Sequence, residues 1–139
     1  MSRLVIGVGN ASRGDDGAGV EAARRMGPRG LVATAPFQLI ELWAEADDVV
    51  VIDAARSGEP AGTIHRFEAR SQELPIDVLG GSTHAIGVAE VVELARALDR
   101  LPARLTVYGI EVGELSHGND LSPEVEAAVG VVVAELSDA

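Results

Sequence analysis

The chain has 139 residues, with 22 acidic against 11 basic side chains for a net charge of −11, and it contains no cysteine. That charge disfavours nucleic acid and anionic membrane surfaces as partners, and the missing thiols remove disulfides, thiolate metal sites and cysteine nucleophiles together. Every basic residue is arginine, which excludes Schiff-base chemistry and a P-loop lysine as well. The length suits a single domain over residues 1–139, and a hydrophobic share of 47% with mean hydropathy +0.19 argues for a packed core. No apolar run approaches the roughly 18 residues of a membrane span, and no basic-then-apolar leader opens the chain. A cytoplasmic protein is the expectation.

The first strand is expected at Leu4–Val8, a short and almost continuous apolar run of the kind covered on both faces in a parallel sheet. It leads through Gly9-Asn10 into a helix from about Gly17 to Met26, for which Asp15 or Asp16 is available as N-cap. Gly27-Pro28-Arg29-Gly30 breaks the chain before a short strand at Leu31–Ala35. Pro36–Ala46 reads as a helix with proline in its first turn. Asp48–Ala54 is a second buried-strand run, closed by Asp53. After the Ser57-Gly58-Glu59-Pro60 turn, Gly62–Glu68 alternates apolar with polar residues, as an edge strand does.

Ala69–Gly81 shows no period and is expected to be a loop. A helix is expected from Ser82 to Leu98, then a strand at Leu105–Glu111 and a polar loop at Gly113–Leu121. Ser122-Pro123-Glu124 opens the last helix with a capping serine, a proline at N1 and an acid in the first turn. The alternation predicts a single-domain α/β fold, a twisted, mainly parallel sheet with helices on both faces.

Gly7-Val8-Gly9 begins like a dinucleotide fingerprint, but Ser12 replaces the third glycine. Two carboxylates then stand where a pyrophosphate would meet the helix N-terminus. Asp15 and Asp16 suit a cation, or a group needing a proton acceptor, as well as they suit plain helix capping. Asp16 follows the first strand, Asp53 closes another, and His84 lies at a helix start after a loop. All three therefore belong to one edge of the sheet, an O/O/N set that leaves coordination positions open. Asp53 bonding backbone amides of the next turn and His84 as a solvated first-turn residue are the plainer alternatives. His65, mid-strand, reads as exposed packing, and His117 as a spare ligand or substrate contact. A G-x-S-x-G elbow and an H-E-x-x-H helix are absent, which disfavours serine hydrolases and zincins.

Six blocks now occur in order: Gly7-Val8-Gly9-Asn10, Gly14-Asp15-Asp16-Gly17-Ala18-Gly19-Val20, Val51-Ile52-Asp53-Ala54, Ser82-Thr83-His84, Gly109-Ile110-Glu111 and Leu121-Ser122-Pro123-Glu124-Val125. Together they resemble the hydrogenase maturation proteases over nearly the whole chain. The resemblance implies an endopeptidase that trims the C-terminal extension of a [NiFe] hydrogenase large-subunit precursor once nickel is inserted. It places the nickel-contacting positions, which also serve catalysis, on Asp16, Asp53 and His84, with the nickel delivered by the substrate rather than resident. The family's glycine-rich D-G-G-T segment is replaced here by Ala33-Thr34-Ala35-Pro36-Phe37. The alternative is a non-catalytic module that senses nickel or docks on the same precursor.

Overall fold

The computed structural model describes residues 3–9, 17–81, 86–112 and 121–137. Five strands, β1 (Leu4–Val8), β2 (Gly30–Ala33), β3 (Asp48–Ala55), β4 (Ile64–Glu68) and β5 (Arg104–Glu111), form one sheet in the order β2-β1-β3-β5-β4. The first four positions in that order run parallel, and β4 closes the edge antiparallel to β5. The reversal follows from chain length. Residues 56–63 cross the end of β5 directly, whereas a parallel return needs a dozen residues or more.

Five helices cover the two faces: α1 (Ala18–Arg25), α2 (Leu39–Leu42), α3 (Ile76–Leu79), α4 (Val88–Ala97) and α5 (Pro123–Ser137). Strand alternation divides the core cleanly. Ile6, Val8, Val49, Val51, Leu105 and Val107 pack with Leu39, Trp43, Leu79 and the buried side of α4. Val5, Val50, Ile52, Tyr108 and Ile110 pack with Ala18 and Ala22 of α1 and with Val125, Val129 and Val132 of α5. The α/β sheet with helices on both faces is thus as expected, and among the described residues no helix is long and apolar enough to cross a membrane.

Several expectations change in detail. Ala69–Gly81 is not all loop: α3 forms a single turn there, too short to show a period, entered through Pro75 in extended conformation. The expected helix Pro36–Ala46 is a 3₁₀ turn at Pro36–Gln38 followed only by α2. Trp43 ends α2, fully buried, with its indole N–H donating to the carbonyl of Arg100 at 2.9 Å. α4 starts at Val88 with Gly87 as its N-cap rather than near Ser82. At α1 the N-cap position is taken by Gly17, and Asp15 and Asp16, expected as cap candidates, lie outside the described residues.

Two glycines let α1 lie directly on the sheet. A Cβ on Gly7 would stand 1.9 Å from the carbonyl oxygen of Gly19, and one on Gly19 would stand 2.2 Å from that of Ile52 and 2.8 Å from that of Val8. All of these obstacles are backbone, which cannot swing aside. Gly19→Ala is therefore expected to cost about 3 kcal/mol, the upper range for overpacking. Gly130→Ala, on α5 where an added Cβ meets nothing within 4 Å, should gain roughly 0.5–1 kcal/mol from helix propensity alone. Urea unfolding of the two variants checks both signs; equal effects would refute the close-packing account.

Candidate active site at the carboxyl edge of the sheet

Parallel strands deliver their carboxyl ends to a common edge, and in open α/β sheets that edge is where ligands bind. β1, β3 and β5 are central and parallel here, so their ends define the candidate site. β3 reaches it with Asp53, two residues before the strand stops. By alternation Asp53 shares the face of Val49 and Val51, under α2, α3 and α4. It is half-buried, and its Oδ1 accepts the N–H of Ala54 at 2.8 Å. Ala54 is still within β3, so this bond is local to the strand and is not one to the amides of the turn that follows.

Asp16 and His84, the other two candidate ligands, lie outside the described residues, as do Asp15 and His117. Among the described residues no three His, Asp or Glu side chains are grouped to hold a metal ion. Described residues near each position meet the sequence or ladder neighbours of Asp53. Gly17 is buried at the head of α1, and two residues on, Gly19 meets the backbone of Ile52, the residue before Asp53. From the other side, Leu79 at the end of α3 packs over Gly109, which pairs with Asp53 across the ladder; a Cβ on Gly109 would stand 3.2 Å from Leu79 Cδ2.

A second acid lies at this edge, named in the sequence only as the end of a strand and part of a motif block and not as a site residue. Glu111, the last residue of β5, is the one charged side chain among the described residues that is buried, at 1% exposure. Its Oε1 accepts the Ser57 N–H at 3.0 Å and the Ser57 hydroxyl, and faces His65 Nε2 at 3.0 Å. Oε2 adds a second contact to the Ser57 N–H at 3.1 Å. A buried carboxylate persists only when its lone pairs are met in this way. His65 is consequently not an exposed packing residue: its side chain is 19% exposed, its ring lies parallel to that of Phe67 with centroids 6.3 Å apart, and Nε2 is committed to Glu111. Together the three residues pin the crossing segment 56–63 onto the end of β5. The signal was present in the sequence, because Glu111 closes a buried apolar run just as Asp53 does.

The electrostatics elsewhere are peripheral to this edge. Bonding to Arg66 holds the Glu135 carboxyl below its usual range and ties α5 to β4, while burial pushes the Tyr108 phenol up. A groove of about 650 Å³ lined by Arg3, Leu4, Asp47 and Asp48, among others, opens where β1 and β3 begin. It lies at the amino edge, on the wrong end of the strands for Asp53.

Comparison with known proteins places this geometry in context. A family model described as hydrogenase maturation protease matches residues 32–139, a span that includes Asp53 and His84 but not Asp16. The hydrogenase expression/formation protein HupD of Thiocapsa roseopersicina is 32% identical over 139 residues, covering 91% of this chain. The chain spans 62% of that relative's length. The hydrogenase 2 maturation protease of Escherichia coli (strain K12) is 29% identical, over 93% of this chain and 84% of its own. Among solved structures, the [NiFe] hydrogenase maturation protease HybD from Thermococcus kodakarensis superposes with a TM-score of 0.71 at 25% identity, covering 99% of this chain and 98% of its own.

Removing the Glu111 carboxylate strands the Ser57 N–H and hydroxyl and the His65 ring in a buried setting. Glu111→Ala is expected to cost on the order of 3 kcal/mol. Glu111→Gln keeps an oxygen where all three donors meet and should cost clearly less. Urea unfolding with unchanged m values reads the difference, and equal losses would show that charge rather than bonding geometry matters.

Proposed function

This chain belongs to the hydrogenase maturation protease family, and from that premise we propose that it is an endopeptidase removing the C-terminal extension of a [NiFe] hydrogenase large-subunit precursor after nickel insertion. The supporting observation is Asp53, held half-buried near the carboxyl end of a central parallel strand, with α1 meeting the backbone of Ile52 beside it and Leu79 packed over its ladder partner Gly109. Asp16, Asp53 and His84 are the proposed contacts to the substrate's nickel, two carboxylate oxygens and one imidazole nitrogen.

The nickel arrives as part of the substrate. Such a hard-to-borderline donor set has little selectivity of its own and by affinity order alone would favour copper, so a precursor that has already chosen its metal removes that problem. The ion supplies an electrophile near the scissile carbonyl. Asp16 or Asp53 takes a proton from the water as it attacks the scissile carbonyl and returns it to the leaving amine as the C–N bond breaks.

Incubating the purified protein with a nickel-loaded precursor and weighing the products tests this reading. Release of a C-terminal peptide supports an endopeptidase; a stable uncut complex would point instead to a docking or nickel-sensing module. Asp16→Asn, Asp53→Asn and His84→Ala are each expected to abolish cleavage while leaving circular dichroism and the melting curve close to wild type, since changes at strand and helix ends remove little core packing. A variant that loses activity only by melting would identify a structural residue.

The isolated protein is further expected to purify with little bound metal and to leave an apo precursor uncut. Stoichiometric zinc or iron together with cleavage of the apo precursor would overturn substrate-delivered nickel in favour of a resident-metal peptidase.

A further inference from the structure

The last three residues of β3 are held less evenly than the rest of the strand. β1 pairs with β3 only as far as Ile52, which stands opposite Gly7. Among the described residues, the ladder that holds Asp53, Ala54 and Ala55 is therefore the one to β5, where they face Gly109, Ile110 and Glu111. A strand end paired on one side opens readily unless the chain beyond it is fastened. Here the fastening is Glu111. Its carboxylate takes the N–H and hydroxyl of Ser57, just past the end of β3, and its main chain takes the other end of the crossing segment. The Gly62 N–H donates to the Glu111 carbonyl, and the Glu111 N–H donates to that of Thr63, both at 2.8 Å. One residue thus clamps both ends of the path from β3 to β4.

The clamp closes a ring of contacts at the strand end that bears Asp53. Arg56, between Ala55 and Ser57, donates its N–H to the carbonyl of Val78 in α3 at 3.4 Å. Leu79 follows and lies over Gly109, where a Cβ would stand 3.2 Å from Leu79 Cδ2 and 3.2 Å from the Cβ of Ala55. Gly109 is the ladder partner of Asp53 and leads, two residues on, to Glu111. We propose that Glu111 is a positioning residue of the site: by holding Ser57 it fixes the exit from β3, and with it the place of the Asp53 carboxylate. The proposal rests on the reading of Asp53 as a group of the cleavage site. It assigns Glu111 no contact with substrate, because its side chain is 1% exposed and both oxygens already meet protein groups. A carboxylate held in place before substrate arrives needs no ordering at the moment of reaction, which is how placement contributes to rate.

Glu111→Ala, Glu111→Gln, Ser57→Ala and Asp53→Asn test the assignment. Each is followed by kcat and KM on the nickel-loaded precursor, a melting curve, and hydrogen exchange of the Ala54 and Val50 amides. The Ala54 N–H is bonded to Asp53 Oδ1 and so reports on that carboxylate, whereas Val50 lies mid-strand and is paired on both sides. Well below its melting point, Glu111→Ala is expected to lower kcat about 100-fold with KM near wild type, the scale of a misplacement near 1 Å. Ala54 should then exchange faster while Val50 does not. Ser57→Ala removes the hydroxyl and keeps the N–H; it should lower kcat roughly tenfold, as for other supporting groups around a site, and it decides the matter if Glu111→Ala does not fold. Glu111→Gln keeps an oxygen acceptor for Ser57 and should recover most of the activity.

Wild-type kcat in Glu111→Ala or Ser57→Ala beside an inactive Asp53→Asn would overturn the positioning role and leave the site reading intact. Wild-type cleavage by Asp53→Asn would overturn both. Equal gains in exchange at Ala54 and Val50, or activity lost only in step with melting, would reduce Glu111 to a structural residue. If folded Glu111→Gln fails as completely as Glu111→Ala, the hydrogen-bond account is wrong.

Discussion

The contact on which the rest of the molecule depends is backbone against backbone, where α1 crosses β1 and β3 at Gly7 and Gly19. Helices usually stand off a sheet by the length of their side chains, because ridges of Cβ and beyond must interdigitate. Here there is no Cβ at either point of crossing, and the helix settles onto the carbonyls of Val8 and Ile52. The head of α1, with buried Gly17, is thereby brought to the carboxyl end of β3. A methyl group at Gly19 would force the head of α1 away from the carbonyls of Ile52 and Val8.

The same edge solves a second problem, the polar end of a buried strand. β5 is covered on both faces by helices and flanked by β3 and β4, so an acid at its terminus has little access to water. The chain leaving β3 must pass over that terminus to reach β4, and it does so with a serine whose N–H and hydroxyl both reach the carboxylate. His65 completes the set from the edge strand. Burial that would be prohibitive for a lone carboxylate becomes a three-point fastening, and it is the short, antiparallel return of β4 that places the fastening there.

Two acids therefore end the two central strands with opposite duties. Glu111 is closed off by Ser57 of the crossing segment and His65 of β4, while Asp53 keeps a half-buried position with Oδ1 accepting the N–H of Ala54 in the same strand. On the other side, Gly87 repeats at small scale what Gly7 and Gly19 do for α1: it lets its backbone meet that of Leu79–Gly81 without a side chain between them. The architecture of the edge is thus made largely by residues that lack a side chain.

The apolar runs Leu4–Val8, Asp48–Ala54 and Leu105–Glu111 were enough to place the central strands, because a strand buried on both faces must be apolar throughout and few other elements are so short and so uniform. Asp53 was legible for the same reason, as an acid that closes such a run. The motif blocks carried the family without any geometry. What the sequence could not show was which polar residues meet. His65 looks like any polar residue on an alternating edge strand, and only pairing with β5, 46 residues on, brings Glu111 to its ring. The single turn of α3, the late start of α4 and the shortened α2 were likewise hidden, since elements of a turn or so leave no period and are made by contacts already formed elsewhere. Local pattern records the burial of each residue in its own strand or helix. Partnership between distant residues is decided only when the sheet order brings their strands side by side.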